Sequence, residues 1–369
     1  MKLTIDSIAF RGAGVGRHEG KVYFVPFTCP GETVEIEIVK DTARFAVGRL
    51  VKVLESSPNR IPFAETPGCC YAHLTYAAEL AAKKAQLEYF LKVPVTSVTP
   101  SPLPLGYRNK ITLEAGSKGV LGYRGDDNET IVDMPQDPLA CPEINAALTR
   151  FRTGTNRPEP GDKVTFRYTP HDGVQTWVGR APVKQLTENT PAGAVQVAAD
   201  GFFQVNPAVA DLLIRQTTVE LESAETIYDL CCGVGVFGFA ARRKYPDARL
   251  VGIESNPGAI DAARRNAVSL ELANTSFHAC AIEDSARYLK PGKCTVIIDP
   301  PRAGLSPAAV KLIKRLRPGQ ICYVSCAPDT LARDLKQFES DYTLERAHLF
   351  DMFPRTAHFE TLAVLKKKI

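Results

Sequence analysis

Beyond residue 201 the chain settles into a repeating pattern of apolar and polar positions. Short apolar runs, "TIYDL", "RLVGIE", "TSFHACA", "TVIIDP" and "QICYVSC", are separated by segments of helical length at about 235–244, 257–270, 283–290, 306–316 and 328–340. Strands that alternate with helices predict a doubly wound parallel sheet of the Rossmann-like α/β class. The last two runs, "LERAHLFDMF" and "AHFETLAVL", leave little room for a crossover helix. They are expected to pair antiparallel at the sheet edge.

The first 55 or so residues alternate with period two instead. "LTIDSIAF", "KVYFVPF", "TVEIEIV" and "AVGRLVKVL" are rich in β-branched and aromatic residues, and "RGAGVGRHEG" and "CPGE" read as turns between them. An OB-like β-barrel over residues 1–57 follows, with Arg44, Arg49 and Lys52 in its last third. Residues 58–200 mix the two periods: a helix over Ala77 to Phe90, a hairpin from "YRNKITLEAG" and "GVLGYRG", and a strand and turn at "TPHDGVQTWVGR". Three regions are therefore expected: the barrel, a central α+β region, and an α/β region over 201–369.

Composition narrows the class only a little. With 369 residues, 44% of them hydrophobic, and a net charge of +4, the chain has ordinary packed cores and a mildly basic surface that tolerates a polyanion. Ten dispersed cysteines and a polar-apolar start predict a reducing, cytoplasmic setting. No apolar run approaches the length of a membrane span, and a monomer is expected.

Candidate chemistry begins in "YDLCCGVGVFG". Gly233, Gly235 and Gly238 follow a strand and open a helix, and Glu254 ends the next strand. Two ligands fit that spacing. A dinucleotide would lay its pyrophosphate on the loop and its ribose on Glu254, which keeps a NAD-dependent oxidoreductase in view. Asp229 at the end of the first strand argues for the other. A carboxylate there repels a pyrophosphate but attracts the ammonium group of S-adenosylmethionine.

Further acids line the same rim. Asp284 follows the third strand, and Asp299 closes the fourth in "IIDPPRAGL", where two prolines stiffen the wall. Ser306, just before Pro307, is the better helix cap. Cys326 follows the fifth strand in "YVSCAPDTLARDL", at the end where open α/β sheets bind ligands. Beside a methyl donor its thiolate has a use: carbon 5 of a pyrimidine becomes nucleophilic once a thiolate adds to carbon 6. A base must then remove the carbon 5 proton, and Glu360, a charge opening an apolar strand, is the candidate.

In this order, "FFQVNP", "DLCCGVGVFG", "GIESN", "IIDPPRAGL", "YVSCAPDTLARDL" and "FPRTAHFETLAVL" resemble the RNA uracil-5 methyltransferase family, and the first 57 residues resemble its TRAM domain. "YRNK", "GYR" and "ACPEIN" resemble its central region, so the likeness spans nearly the whole chain. The resemblance implies methylation of uracil to 5-methyluridine in RNA. It makes Cys326 the nucleophile and Glu360 the base, and places Gln204, Asp229, Cys231, Gly233, Gly235, Glu254, Asp284 and Asp299 around the donor. Phe202 would stack on the flipped base, Asp299 would also contact it, and Arg302 would orient the loop.

Three departures stand out. Cys231 and Val236 replace an aromatic residue and an asparagine common in the family. Many TRAM-bearing relatives bind an iron–sulfur cluster through four cysteines; here Cys69 and Cys141 remain while Arg60 and Thr66 occupy the other places, so no cluster is expected. Arg302 after Pro301, where RNA cytosine-5 enzymes carry a second cysteine, favours uracil. The TRAM-like barrel favours ribosomal RNA, with transfer RNA as the alternative substrate. A catalytically inactive RNA-binding protein is the alternative from another class.

Overall fold

A computed structural model describes residues 1–125, 127–155 and 157–368. Six strands form the first layer: β1 (Lys2–Thr4), β2 (Ser7–Ile8), β3 (Gly14–His18), β4 (Lys21–Val25), β5 (Thr33–Asp41) and β6 (Phe45–Glu55). Their order is β1-β5-β6-β4-β3-β2, with β4 and β6 parallel and the remaining pairs antiparallel. Leu3, Ile5, Tyr23, Val25, Val34, Ile36 and Ala46 fill the interior. β3 lies inside "RGAGVGRHEG", which its glycines disguise as a turn. Those glycines serve close packing: a Cβ on Gly14 would sit 2.0 Å from Thr28 Oγ1, and one on Gly16 2.4 Å from the Thr4 carbonyl.

The middle of the chain contributes α1 (Tyr76–Leu91), β7 (Ser97–Thr99), β8 (Lys110–Ala115), β9 (Leu121–Arg124), β10 (Ile131–Asp133), α2 (Pro142–Thr153), β11 (Lys163–Thr169), β12 (Gly173–Val178), β13 (Gln185–Thr190) and β14 (Gly193–Ala198). The hairpin read from "YRNKITLEAG" and "GVLGYRG" is β8 with β9. It belongs to an antiparallel sheet, β10-β9-β8-β11-β12, on which Ile144 and Leu148 of α2 pack.

The last region holds α3 (Pro207–Glu220), β15 (Thr226–Leu230), α4 (Val236–Lys244), β16 (Arg249–Glu254), α5 (Pro257–Ser269), β17 (Thr275–Ala279), β18 (Cys294–Ile298), α6 (Pro307–Leu316), β19 (Gln320–Ser325), α7 (Pro328–Phe338), β20 (Tyr342–Phe350) and β21 (Glu360–Lys367). Asn206, Asn256 and Ser306 cap α3, α5 and α6, each with a proline at the first helical position. The strands form one sheet, β17-β16-β15-β18-β19-β21-β20-β7, parallel from β17 to β19, with β21 reversed. Apolar side chains cover both faces, as a sheet between helix layers requires.

Two local expectations change. The helix expected at 283–290 is a single 3₁₀ turn, Ile282–Asp284, after which Ser285 Oγ donates to the Ile282 carbonyl at 2.6 Å. Residues 286–288 then form a separate turn, with Tyr288 N donating to the Ser285 carbonyl at 2.8 Å. The β20–β21 pair is antiparallel as expected but not outermost, because β7 from the middle of the chain lies parallel to β20. The β13–β14 hairpin is likewise tied to α5, through Asn266 bonded to both the N–H and the carbonyl of Gln196 at 2.7 and 3.0 Å.

Candidate active site

The parallel strands end along one rim, and the glycine loop forms its floor. Cys231, Gly233 and Gly235 all take positive φ (62°, 52° and 97°) as the chain turns from β15 into α4. A Cβ on Gly235 would lie 2.5 Å from the Phe239 ring, whereas one on Gly233 would meet open space. The turn is thus tight on its inner side and clear on its outer side, where a ligand can approach the backbone. Asp229 is fully buried, and its Oδ2 accepts from Gly238 N at 2.8 Å. It anchors the first turn of α4 in addition to lining the rim, which its sequence position did not show. Its Oδ1 has no hydrogen-bond partner among the described residues.

Glu254, at the end of β16, accepts from Gly233 N at 3.2 Å and from Asn256 N at 2.8 Å. Asp284 is exposed at the end of the 3₁₀ turn after β17, and Gln204 is half-buried in the segment before α3. Phe202 in that segment is 79% exposed.

Asp299 follows β18, and Glu360 opens β21 with 3% of its surface exposed. Burial and then the charges of Asp229 and Glu254 push Asp299 up to about 7. Burial and the Glu254 charge raise Asp229 to about 7 as well. Glu360 stands well above the ordinary carboxylate range through burial and Asp299, and its Oε2 has no partner among the described residues. Carboxylates that raise one another in this way lack a countercharge. A cationic ligand such as the sulfonium and ammonium groups of S-adenosylmethionine supplies it, whereas a pyrophosphate adds to the repulsion. The residues therefore fit the methyl donor and disfavour the dinucleotide.

Cys326 lies one residue past β19. Burial, then the Glu360 charge, pushes its thiol up to about 11, while the Arg302 guanidinium draws it back through charge and a hydrogen bond. The structure so gathers Cys326, Glu360, Asp299 and Arg302 in one place. Cys231 beneath them is raised to about 12 by burial and the surrounding acids, so it carries no thiolate at neutral pH.

Residues that the sequence did not single out hold this arrangement. Asp334 on α7 is fully buried and accepts from Tyr323 Oη at 2.7 Å and from Leu305 N at 2.8 Å, while Arg333 donates to the Ala303 carbonyl at 2.8 Å. The helix after Cys326 thus grips the loop that bears Asp299 and Arg302. A buried acid on that helix was the available signal. His358 is pushed down to about 4 by burial and then by Arg302, Lys83, Arg108 and Arg11.

The four positions of an iron–sulfur set are occupied differently. Arg60 forms a two-pronged ion pair with the buried Glu32, at 2.6 and 2.8 Å, and donates to the Phe27 carbonyl at 2.7 Å. Thr66 contributes its carbonyl to Cys69 N. Cys69 packs on Tyr107 and Leu139, and Cys141 belongs to the core beneath α2. Burial raises both thiols to about 11. Two such thiols do not fit the ligand set of a cluster.

The profile of the tRNA (Uracil-5-)-methyltransferase family matches residues 192–368, and that of the TRAM domain matches residues 1–51. The chain is 28% identical over 421 residues to the 23S rRNA (uracil(1939)-C(5))-methyltransferase RlmD of Klebsiella pneumoniae, covering 100% of this chain and 96% of that protein. It is 30% identical over 400 residues to an uncharacterized RNA methyltransferase of Bdellovibrio bacteriovorus, covering 99% and 95%. The crystal structure of the Pyrococcus abyssi tRNA (uracil-54, C5)-methyltransferase with S-adenosyl-L-homocysteine superposes with a TM-score of 0.81 at 27% identity, covering 99% of this chain and 100% of that one.

Proposed function

Because the chain belongs to the RNA uracil-5 methyltransferase family and carries its TRAM domain, we propose that it methylates carbon 5 of a uridine in 23S ribosomal RNA through a covalent bond between Cys326 and carbon 6. The observation that carries the mechanism is the shared location of Cys326, Glu360 and Arg302 at the rim. Bound S-adenosylmethionine supplies an electrophilic methyl group for carbon 5.

The protein's own residues do the rest. Cys326 gives up its thiol proton to solvent, helped by Arg302, and its sulfur bonds to carbon 6 while the displaced electron pair moves onto the uracil ring and its oxygen. Carbon 5, now nucleophilic, takes the methyl group as its bond to the donor sulfur breaks, and S-adenosylhomocysteine is left. Glu360 then removes the proton from carbon 5, the carbon 5–carbon 6 double bond re-forms, and the carbon–sulfur bond breaks to release the thiolate. A buried carboxylate is a stronger base than an exposed one, which suits Glu360 to that step. Phe202 gives the extruded base a surface to stack on, since chemistry on a base requires taking it out of its stack. Asp229 and Glu254 hold the donor end, with Gly233 and Gly235 giving its approach.

The end-to-end match with RlmD supports ribosomal RNA. The equally complete match with the archaeal tRNA enzyme makes transfer RNA the second reading. One experiment tests both. Protein and S-adenosylmethionine are mixed with 5-fluorouridine-substituted 23S rRNA fragments or transfer RNA, with Cys326→Ala alongside, and resolved on a denaturing gel. Fluorine cannot leave as a proton, so the adduct is trapped. An adduct on 23S rRNA that vanishes in Cys326→Ala is expected; an adduct on transfer RNA alone would move the substrate, and none on either would overturn the mechanism.

A further inference from the structure

The segment between β20 and Glu360 is held almost entirely by residues from the earlier parts of the chain. Asp351 N donates to the Thr99 carbonyl at 2.9 Å. The Met352 carbonyl accepts from Asn206 Nδ2 at 3.2 Å, that of Phe353 from Lys83 Nζ at 3.2 Å, and that of Pro354 from Tyr107 Oη at 3.1 Å. The Arg355 carbonyl accepts from Tyr71 N at 3.1 Å, and Arg355 N donates to Glu79 Oε1 at 2.7 Å. Five consecutive residues are thus fastened one by one.

At the centre of this cradle lies a charge cluster without solvent. Lys83, Glu79 and Asp351 are each fully buried. Lys83 Nζ bonds Asp351 Oδ1 at 2.6 Å and Glu79 Oε1 at 2.7 Å. Tyr76 Oη donates to Asp351 Oδ2 at 2.8 Å and accepts from Ser101 N at 2.8 Å, while Arg355 lies 3.4 Å from Glu79 and donates to the Leu74 carbonyl at 2.8 Å. A buried cluster of this kind is weak as a source of stability compared with apolar packing, but it specifies one geometry. The segment it holds, residues 351–355, ends five residues before Glu360.

We propose that Lys83, with Tyr76 and Glu79, is a positioning element for Glu360: helix α1 sets the path of residues 351–355 and so the placement of the carboxylate that removes the carbon 5 proton. The proposal rests on Glu360 as that base. Its consequence is specific to one step. Loosening the cradle slows proton removal and leaves addition of Cys326 to carbon 6 in place, so the methylated covalent complex accumulates on natural RNA.

The test compares wild type, Lys83→Met, Tyr76→Phe and Glu360→Gln in full-length protein with unsubstituted RNA. Turnover, the KM for S-adenosylmethionine and the amount of denaturant-stable protein–RNA complex are read together. Lys83→Met leaves the buried Asp351 without its cation and Glu79 with Arg355 alone, and if it does not fold, the milder Tyr76→Phe decides. A kcat about tenfold lower or more, with the KM little changed and complex accumulating as in Glu360→Gln, supports the proposal. Folded variants that keep full turnover, or whose turnover and complex fall together, overturn it. If Glu360→Gln itself accumulates no complex, the assignment of the base has failed and the proposal falls with it.

Discussion

Ser325 of β19 pairs with Thr361 of β21, which brings Cys326, one residue further along the first strand, beside Glu360, one residue earlier on the second. The strands run in opposite directions, so Cys326 and Glu360 meet at one rim although 34 positions of chain numbering separate them. A slip of one residue would turn Glu360 to the opposite face.

The thiol of Cys326, held up to about 11 by burial and by Glu360, is mostly protonated at neutral pH. Its thiolate fraction grows about tenfold per pH unit below that value. The rate of adduct formation with 5-fluorouridine RNA should therefore climb steeply between about pH 7 and 9. Arg302→Ala, which removes the one offsetting cation, should slow it at each pH. A flat profile in stopped-time gels would contradict this account of the thiol.

Asp229 and Asp299, raised to about 7, bind more protons in the folded chain than in the unfolded one over the range from about 4 to 7. Their contribution to stability is fully present below the unfolded value and is lost as pH rises through about 7. Thermal melts of ligand-free protein should show this loss, and Asp299→Asn should flatten it. S-adenosylhomocysteine, whose ammonium group favours the ionised acids, should release protons on binding near pH 7. Calorimetry in buffers of different ionisation enthalpy would detect the release.

Asp334→Ala leaves Tyr323 Oη and Leu305 N without their partner in a buried site. Each orphaned group costs about 1–3 kcal/mol, so urea unfolding should show a loss of about 2–5 kcal/mol. Turnover of the remaining folded protein should fall as well, because the loop with Asp299 and Arg302 loses its grip. Arg333→Ala, at a more exposed site, should cost under about 1 kcal/mol.

Phe202, 79% exposed, contributes little to the fold. Phe202→Ala should leave stability within about 0.5 kcal/mol. Stacking of one base on an aromatic ring is worth about 1–3 kcal/mol, so the KM for RNA should rise about tenfold with the donor KM unchanged. Unchanged RNA kinetics would remove Phe202 from the substrate site.

After residue 201 the strands and the helices α4, α5, α6 and α7 were legible from their alternating periods, with Ser306 before Pro307 marking the start of α6, whereas α3 was not singled out although Asn206 caps it. β3 was not, since its glycines answer to neighbours across the barrel and look local only in isolation. The 3₁₀ turn at Ile282–Asp284 was misread as a longer helix because residues 283–290 have a helix-compatible composition, and only the folded chain shows that they break into separate short turns.

The same division holds for the site. The order of motifs, the residue types able to bind a methyl donor and the presence of a thiol and a spare carboxylate were determined by the chain itself, because they depend on local spacing and on chemistry carried by single side chains. Tertiary structure decided that Glu360 stands beside Cys326, that Asp229 braces Gly238, and that Lys83 and Asp351, 268 positions apart, share one buried cluster. Those outcomes depend on register and burial. Both arise only when distant segments pack together and water leaves, and no local period in the chain encodes either.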